Sequence, residues 1–425
     1  MNRIIIICQI SILVLLSGCK VPVSSTKEQN LAKIYNPSSS RIHPAFSVYH
    51  SSANASELYV KIFPKELLYS LANSDAVYKA SAKVKYELLD ITDNQNVQFA
   101  DSGGTVYNFR REGVEQRFVA SIPIAAVSGK FYQLKVSLTD MVRNEEQIRY
   151  IYVDKRTAFS QQNFLISEVK SKTPYFPPYV LGNGEFKIES SNFDKYDQIY
   201  VLFYGQSMPL PKPSFSVIRE KEFLAQFDSI WVLPFKPGLN YMLRYEGMYY
   251  FQLDTSVNEG LTILNFGKEF PHIQTPEQLV DPLAYLTTST EYDQLKNETN
   301  QKLAVDNFWL DKSDNMERAR ELIRIYYNRV YFSNYYFTTF KPGWMTDRGM
   351  IYVIYGTPQA IYRSVDDEKW VYYRKSFSSS LTFTFSYMPS PYSENNFVLE
   401  RSESYDTYWR EAVNSWKNGK VFNLD

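Results

Sequence analysis

The chain has 425 residues, with 46 basic and 46 acidic side chains and a formal net charge of zero at pH 7. This length allows about two to four domains with a substantial core. The charge balance gives no sign of a nucleic-acid surface or of attraction to lipid headgroups, so no nucleic-acid partner is expected. The 35 tyrosines and 28 phenylalanines suit β-rich cores and interfaces with proteins or glycans.

The first residues have the pattern of an export signal. Arg3 precedes an apolar run over residues 4–16, which is too short to span a bilayer as a stable helix. The run ends in a segment that resembles the lipobox of bacterial lipoproteins, Leu16-Ser17-Gly18-Cys19. The resemblance implies that residues 1–18 are a signal peptide and that Cys19 carries acyl chains such as palmitate. Several chains on one residue would anchor the protein stably to a membrane.

The residues around the predicted lipid site also bear on location. Lys20, rather than Asp, follows the lipidated cysteine, and by resemblance to lipoprotein sorting this favours the outer membrane. No acidic cluster follows, so we favour the periplasmic face, with the cell surface as the alternative. The cysteines of the chain are Cys8 and Cys19. The mature protein would therefore have no thiol for catalysis, zinc binding or a disulfide.

Composition shifts divide the rest of the chain. Residues 19–44 are rich in serine, asparagine and proline and predict a flexible tether. Alternating segments between turn signals predict an antiparallel β-sandwich over residues 45–155 and a second over residues 156–257, before a connector over residues 258–284. The predicted strands span residues 57–63, 83–91, 105–110, 117–123, 130–138, 147–153, 184–190, 198–204, 229–233 and 248–253.

Residues 285–425 predict a helical segment followed by a small α+β domain. Apolar periodicity predicts helices over residues 290–309, 314–331 and 405–416, and Asp314 and Glu317 form a candidate capping box. Strands are predicted over residues 360–363, 369–374, 381–387 and 397–401. The predicted fold class is therefore mainly β, with two antiparallel sandwiches and an α+β C-terminal domain.

The most distinctive stretch of the chain lies within this last region. Its characteristic residues form a dense turn and a later Tyr-Gly-x-Pro segment, with one further tryptophan: Gly343, Trp344, Thr346, Asp347, Arg348, Gly349, Tyr355, Gly356, Pro358 and Trp370. Residues 350–355 are β-branched and aromatic, and predict a strand. Gly349 is expected to have a positive φ or to let another backbone approach closely.

These residues resemble the GWxTD domain of bacterial envelope proteins, over roughly residues 315–425. The resemblance implies an envelope location and no known reaction. Two interpretations are open. In the first, the signature is a structural corner, with Trp344 in a core and Asp347 paired to Arg348 or to backbone amides. In the second, Asp347 and Arg348 form the centre of a docking site. Catalysis by them is not expected, because no nearby histidine or cysteine completes an acid–base or nucleophile pair.

Metal and cofactor chemistry are not expected from the remaining motifs. The histidines lack metal-ligand spacing: His43, His50 and His272. One acidic run lacks the alternating ligands of a calcium loop and predicts a solvated turn: Asp366, Asp367 and Glu368. We therefore predict no metal site and no cofactor.

Three classes of function follow. The first, which we favour, is a non-enzymatic lipoprotein that takes part in an envelope protein complex, in assembly, secretion or scaffolding. The second is a glycan- or peptide-binding module, which a cleft lined by aromatic side chains would support. The third is a glycan hydrolase, which requires two carboxyl groups about 5–10 Å apart in such a cleft. Three carboxylates near the last helix are explained by a strand end and a helix start: Glu400, Glu403 and Asp406.

Overall fold

The computed structural model describes residues 30–422, apart from residues 72–76, 94, 114, 171–172, 177–178, 181–183, 206–207, 218–225 and 374–379. The predicted signal peptide, Cys19 and Lys20 lie outside the described residues. The described part is mainly β, in antiparallel sheets, and its long helices lie in the C-terminal third, so the predicted fold class is confirmed. Within that part, no helix is both long and apolar enough to cross a membrane.

Two sheets with a common core form the N-terminal part. Their strands are β1 Ala45–Ser52, β2 Ala55–Ile62, β3 Ser70–Leu71, β4 Tyr78–Asp90, β5 Gln98–Arg110, β6 Phe118–Ile124, β7 Phe131–Asp140 and β8 Glu145–Asp154. One sheet has the order β1-β2-β6 and the other β3-β4-β7-β8, with β5 on β4. Alternate residues such as Leu58, Val84 and Val136 point into the shared core. Strands β1 and β8 each lie at an edge of their sheet.

The second part repeats this arrangement. Its strands are β9 Phe164–Glu168, β10 Glu185–Ser190, β11 Gln198–Tyr204, β12 Ser229–Pro234, β13 Asn240–Met242, β14 Gly247–Gln252 and β15 Leu261–Asn265. The sheets have the orders β13-β10-β9 and β12-β11-β14-β15 and enclose one core. Strand β15 lies within residues 258–284, which were predicted to be a connector. That prediction is therefore wrong for Leu261–Asn265. All five residues of β15 are buried, so the strand shows no alternation from which it could be predicted.

The C-terminal part surrounds a four-stranded sheet with helices. The elements are α1 Pro276–Val280, α2 Ser289–Asn297, α3 Gln301–Leu310, α4 Met316–Phe337, α5 Asp347–Tyr355, β16 Ala360–Arg363, β17 Asp367–Tyr373, β18 Ser380–Tyr387, β19 Phe397–Leu399 and α6 Asp406–Lys417. The sheet order follows the sequence. Asn315, not Asp314, caps α4, because its side chain accepts from the Arg318 N–H.

The predicted strand over residues 350–355 is wrong, because these residues belong to helix α5. The Thr346 side chain caps this helix by accepting from the Gly349 N–H at 3.1 Å. Every residue from Arg348 to Tyr355 is buried. A helix that is buried on all sides shows no amphipathic period, so a short apolar run of this kind does not distinguish a helix from a strand.

The predicted tether is also wrong from residue 30 onward. The Leu31 N–H donates to the Ile361 carbonyl at 2.8 Å, beside the first strand of the C-terminal sheet. Leu31, Ile34 and Tyr35 are buried in the C-terminal core. That core also includes residues of the second part, such as Tyr250. The three parts therefore share packed contacts, and the predicted domain boundaries remain predictions.

Candidate functional site

The two glycines of the signature are required by close contacts between backbones. A Cβ added to Gly343 would lie 1.9 Å from the carbonyl oxygen of Ser333 in α4. A Cβ added to Gly349 would lie 1.9 Å from the carbonyl oxygen of Gly343. Gly349 is not among the residues with positive φ, so close approach is the reason for this glycine. The signature turn is thus held between α4 and α5.

The residues between the glycines are fixed by hydrogen bonds inside the protein. Trp344 is buried, its N–H donates to the side-chain oxygen of Asn334 at 3.2 Å, and its carbonyl accepts from the Tyr285 hydroxyl at 2.8 Å. The Thr346 hydroxyl donates to the Gly343 carbonyl at 2.7 Å. The signature turn therefore connects helix α4, helix α5 and the segment before α2.

Asp347 pairs with a residue that sequence reasoning did not single out. Its Oδ1 lies 2.6 Å from Nη2 of Arg401, and its Oδ2 accepts from the Leu399 N–H at 2.8 Å. The carboxylate also lies in the first turn of α5, where the helix dipole favours a negative charge. Asp347 thus joins α5 to the last strand of the sheet, rather than to Arg348.

We expect Asp347→Ala to lower the free energy of unfolding by about 1.5–3 kcal/mol, because it leaves the Leu399 N–H and Arg401 without a charged acceptor. Asp347→Asn keeps an acceptor oxygen and should lose less. Urea denaturation of both variants measures the difference. A variant as stable as the wild type would mean that this carboxylate is not a structural link.

Arg348 enters a buried ionic cluster whose centre is Glu368. Both side chains are almost fully buried, with Nη1 of Arg348 3.4 Å from the Glu368 carboxylate. Arg363 Nη1 lies 2.7 Å from the same carboxylate. The Tyr35 hydroxyl and the Trp370 indole N–H donate to it at 3.0 and 3.2 Å. Four donors, one each from the segment at Tyr35, α5, β16 and β17, therefore saturate one carboxylate.

Electrostatics keep this carboxylate ionised. Burial acts to raise the pKa of Glu368, but the charges of Arg348 and Arg363 outweigh it and hold that pKa below its ordinary value. The prediction of a solvated turn is therefore wrong for Glu368. The sequence contained an indication that Glu368 is buried. Glu368 and Trp370 are two residues apart in one strand, so their side chains point to the same face, and Trp370 faces the core.

The remaining signature residues are buried as well. The centre of the Tyr355 ring lies 5.1 Å from the centre of the Phe383 ring. Gly356 ends α5 with a φ of 81°, and Pro358 is buried beside it. No signature side chain is exposed, so the structure offers no surface centred on Asp347 and Arg348. We therefore interpret the signature as a structural corner.

A large concave surface lies elsewhere, where the three parts of the protein meet. It is a cleft of about 770 Å³. Its walls come from edge strands β1, β8 and β9, from the second half of α4 and from the loop before β19. Tyrosine and phenylalanine rings dominate the lining. Those from α4 are Tyr331, Phe332, Tyr335 and Tyr336.

Glu394 is the one carboxylate among the described residues that line the cleft. Burial raises the pKa of Glu394 to about 8, and the nearby charge of Asp154 adds to the increase. This carboxyl group is therefore mostly protonated at neutral pH. The described residues contain no group of three or more His, Cys, Asp or Glu side chains that could hold a metal ion.

Glu394 should make stability fall with rising pH. In the folded state the pKa of Glu394 is about 8, above its ordinary value of 4.5. Between pH 4.5 and pH 8 the folded state therefore binds more protons than the unfolded state. The free energy of unfolding is then expected to decrease as pH rises from 4.5 to 8. Glu394→Gln should raise Tm at pH 8.5 and change it little at pH 4.5, whereas the exposed Glu403→Gln should do neither. An effect of Glu394→Gln that is equal at both pH values would contradict this assignment.

Together, the fold and the site define a mainly β protein whose C-terminal α+β unit is organised around a buried corner. Residues 247–418 match the family model of the GWxTD domain, so the chain carries a GWxTD domain. The match begins at β14, well before the predicted start near residue 315. The domain thus includes the last two strands of the second part.

The other comparisons add little. No curated protein matches the chain. Among solved structures, the chain is similar to Bacteroides uniformis beta-glucuronidase 2 covalently bound to cyclophellitol-6-carboxylate aziridine, with 10% identity, a TM-score of 0.18, and coverage of 33% of this chain and 15% of that one. It is also similar to Bacteroides uniformis beta-glucuronidase, with 9% identity, a TM-score of 0.17, and coverage of 35% and 15%. At these TM-scores the likenesses carry no argument about activity.

Proposed function

We propose that this protein is a lipid-anchored interaction component of a bacterial envelope complex, and that its cleft, rather than its signature, contacts the partner. The observation that carries the proposal is that three parts of the chain meet on one open, aromatic-lined surface, while the signature side chains lie inside. Junctions between domains are favoured places for binding sites, and aromatic rings contribute strongly to interfaces.

The alternatives differ in how well the cleft supports them. Its aromatic lining favours a second candidate, a glycan- or peptide-binding module, because rings stack on sugars and pack on side chains. The third, a carboxylate-based hydrolase, lacks support, because the described lining has one carboxylate where such a mechanism requires two. Glu400, Glu403 and Asp406 do not line the cleft.

The anchor has a direct test. We expect Cys19→Ser to move the protein from the membrane fraction to the soluble fraction, because the lipobox provides the attachment in this proposal. Mass spectrometry of the wild-type N-terminal peptide should show acyl chains on Cys19. Two results together would rule out lipid anchoring at the outer membrane, whether on the periplasmic face or on the cell surface. The variant would remain in the membrane fraction, and the wild-type Cys19 would carry no acyl chain.

The partner surface is tested by photocrosslinking in intact cells. A photoreactive phenylalanine analogue at Tyr335, which is 39% exposed in the cleft, should give adducts with an envelope protein. The same analogue at Tyr373, which is 50% exposed and does not line the cleft, is the matched control. Adducts that form at Tyr373 but not at Tyr335 would place the partner on another surface.

A further inference from the structure

The charges of the cleft are unbalanced. Arg149 and Lys61 both line it, and in the described part of the chain no carboxylate lies within ion-pair distance of either. Nη1 of Arg149 donates to the Ile148 carbonyl at 3.0 Å, and both cations also contact rings. The Arg149 guanidinium lies 6.0 Å from the Tyr336 ring centre, and the Lys61 ammonium lies 4.9 Å from that of Phe176. The cleft therefore offers two cations to an anionic ligand.

Other charged groups do not cancel this excess. Arg363 also lines the cleft, but Glu368 neutralises it at 2.7 Å. His43 lies beside Glu66, with Nδ1 3.1 Å from Oε1. Glu394 is held mostly protonated by its burial at neutral pH. The net charge that a ligand meets in the cleft is thus positive.

The backbone of β8 supplies a second feature. The Lys155 N–H donates to the Lys130 carbonyl at 3.0 Å, which sets the alternation of the β7–β8 ladder. Even-numbered residues of β8 therefore direct their backbone groups away from β7, toward the open edge of the sheet.

The side chain of Gln162 occupies part of this edge, with the hydrogen bonds that the backbone of a neighbouring strand would make. The Gln162 side chain accepts from the Asp154 N–H at 3.1 Å and donates to the Tyr152 carbonyl at 2.7 Å. The next outward position is Tyr150, and no other described residue hydrogen-bonds to its backbone N–H or carbonyl. The Tyr150 hydroxyl is also buried without a partner among the described residues. An open strand edge is a site to which an extended peptide can add.

We infer that the cleft binds an extended, acidic segment of a partner polypeptide, whose backbone pairs with β8 at Tyr150 and whose carboxylates face Arg149 and Lys61. This inference rests on the proposed function, because it specifies the partner of the same cleft. The backbone N–H and carbonyl of Tyr150 favour a peptide over an acidic glycan, since an extended peptide presents an acceptor and a donor together at the spacing of a strand.

The test uses the full chain in detergent micelles and a fluorescein-labelled peptide of twelve residues that alternates Glu with Val or Thr. Fluorescence anisotropy should show saturable binding of this peptide. The peptide with Lys in place of Glu should bind at least about tenfold more weakly, because its charges face Arg149 and Lys61. A Glu peptide with alternate backbone amides N-methylated should lose binding, because it cannot pair with β8.

Protein variants locate the site. Arg149→Glu and Lys61→Glu should each weaken binding of the Glu peptide at least about tenfold. Lys85→Glu, on an exposed position of β4 that does not line the cleft, should leave it unchanged and is the matched control. Arg149→Gln and Lys61→Gln repeat the test with smaller changes if a reversed charge prevents folding, which melting curves report.

The outcomes separate this inference from the proposed function. Equal binding of the Glu and Lys peptides, or no binding of either, overturns the acidic-strand inference, whatever the crosslinks at Tyr335 show. If oligogalacturonate binds in an Arg149-dependent way while the Glu peptide does not, the ligand is an acidic glycan instead. If the Glu peptide binds as expected but Tyr335 gives no adduct with an envelope protein, the inference stands and the proposed function fails.

Discussion

Replacing Glu368 with Gln is expected to lower the free energy of unfolding by about 3–5 kcal/mol, because it leaves two buried guanidinium groups without their counter-charge. Arg348 and Arg363 are both at most 5% exposed, so water replaces the lost carboxylate only in small part. Isosteric Gln keeps the shape of the side chain, so the loss reports the charge rather than a cavity. An effect of this size is a large fraction of the stability of a typical protein.

The control for this variant lies one residue further along the same strand. Lys369 is exposed on the opposite face of β17, so Lys369→Gln also changes one charge but should alter stability by no more than about 0.5 kcal/mol. Urea denaturation at pH 7 measures both variants. Equal, small losses for the two would show that the cluster is not an ionic centre.

The same cluster predicts that the free energy of unfolding falls in acid. The pKa of Glu368 is lower in the folded state than its ordinary value of 4.5, so its stabilising contribution is complete above about that pH. The contribution should then be lost as pH falls further, and Glu368→Gln should remove this part of the acid dependence.

Gly349→Ala is expected to lower the free energy of unfolding by roughly 3 kcal/mol or more, although alanine normally stabilises a helix relative to glycine. The reason is that the new methyl group would lie 1.9 Å from the Gly343 carbonyl oxygen and 2.8 Å from the Trp344 Cα. Both are backbone atoms, so no side-chain rotation relieves the overlap, and α5 would have to move away from the turn at Gly343 and Trp344.

The matched control is a glycine with open space around it. Gly129 has a φ of 83°, and no heavy atom lies within 4 Å of the place that a new methyl group would take, so Gly129→Ala should cost only about 1–2 kcal/mol of backbone strain. Thermal unfolding of both variants under one condition gives the comparison. A Gly349→Ala variant at least as stable as Gly129→Ala would contradict the close-packed corner.

Local sequence patterns were sufficient for elements that are half buried. Strand β2 was predicted over residues 57–63 and spans Ala55–Ile62, because its buried and more exposed residues alternate with the two-residue period of a pleated strand. Helix α4 was predicted in the same way, from an apolar stripe at helical spacing. The GWxTD domain was identified from its signature residues, although its first two strands were not included.

Elements buried on all sides were not predictable from their own residues. Helix α5 and strand β15 both lie in continuous apolar runs, and such runs carry neither the period of a strand nor that of a helix. Their conformations are decided by what packs around them. For α5 the deciding contacts are the two glycine approaches and the Thr346 cap.

The sequence alone determined the class of elements, the place of the signature and the expectation of a lipid anchor at Cys19, because each of these depends on residues close together in the chain. Only the tertiary structure decided that Tyr35 meets Glu368, that Asp347 pairs with Arg401, and that the cleft draws its walls from all three parts. These contacts join residues that are far apart in sequence. They form because a buried carboxylate must find donors wherever the fold brings them.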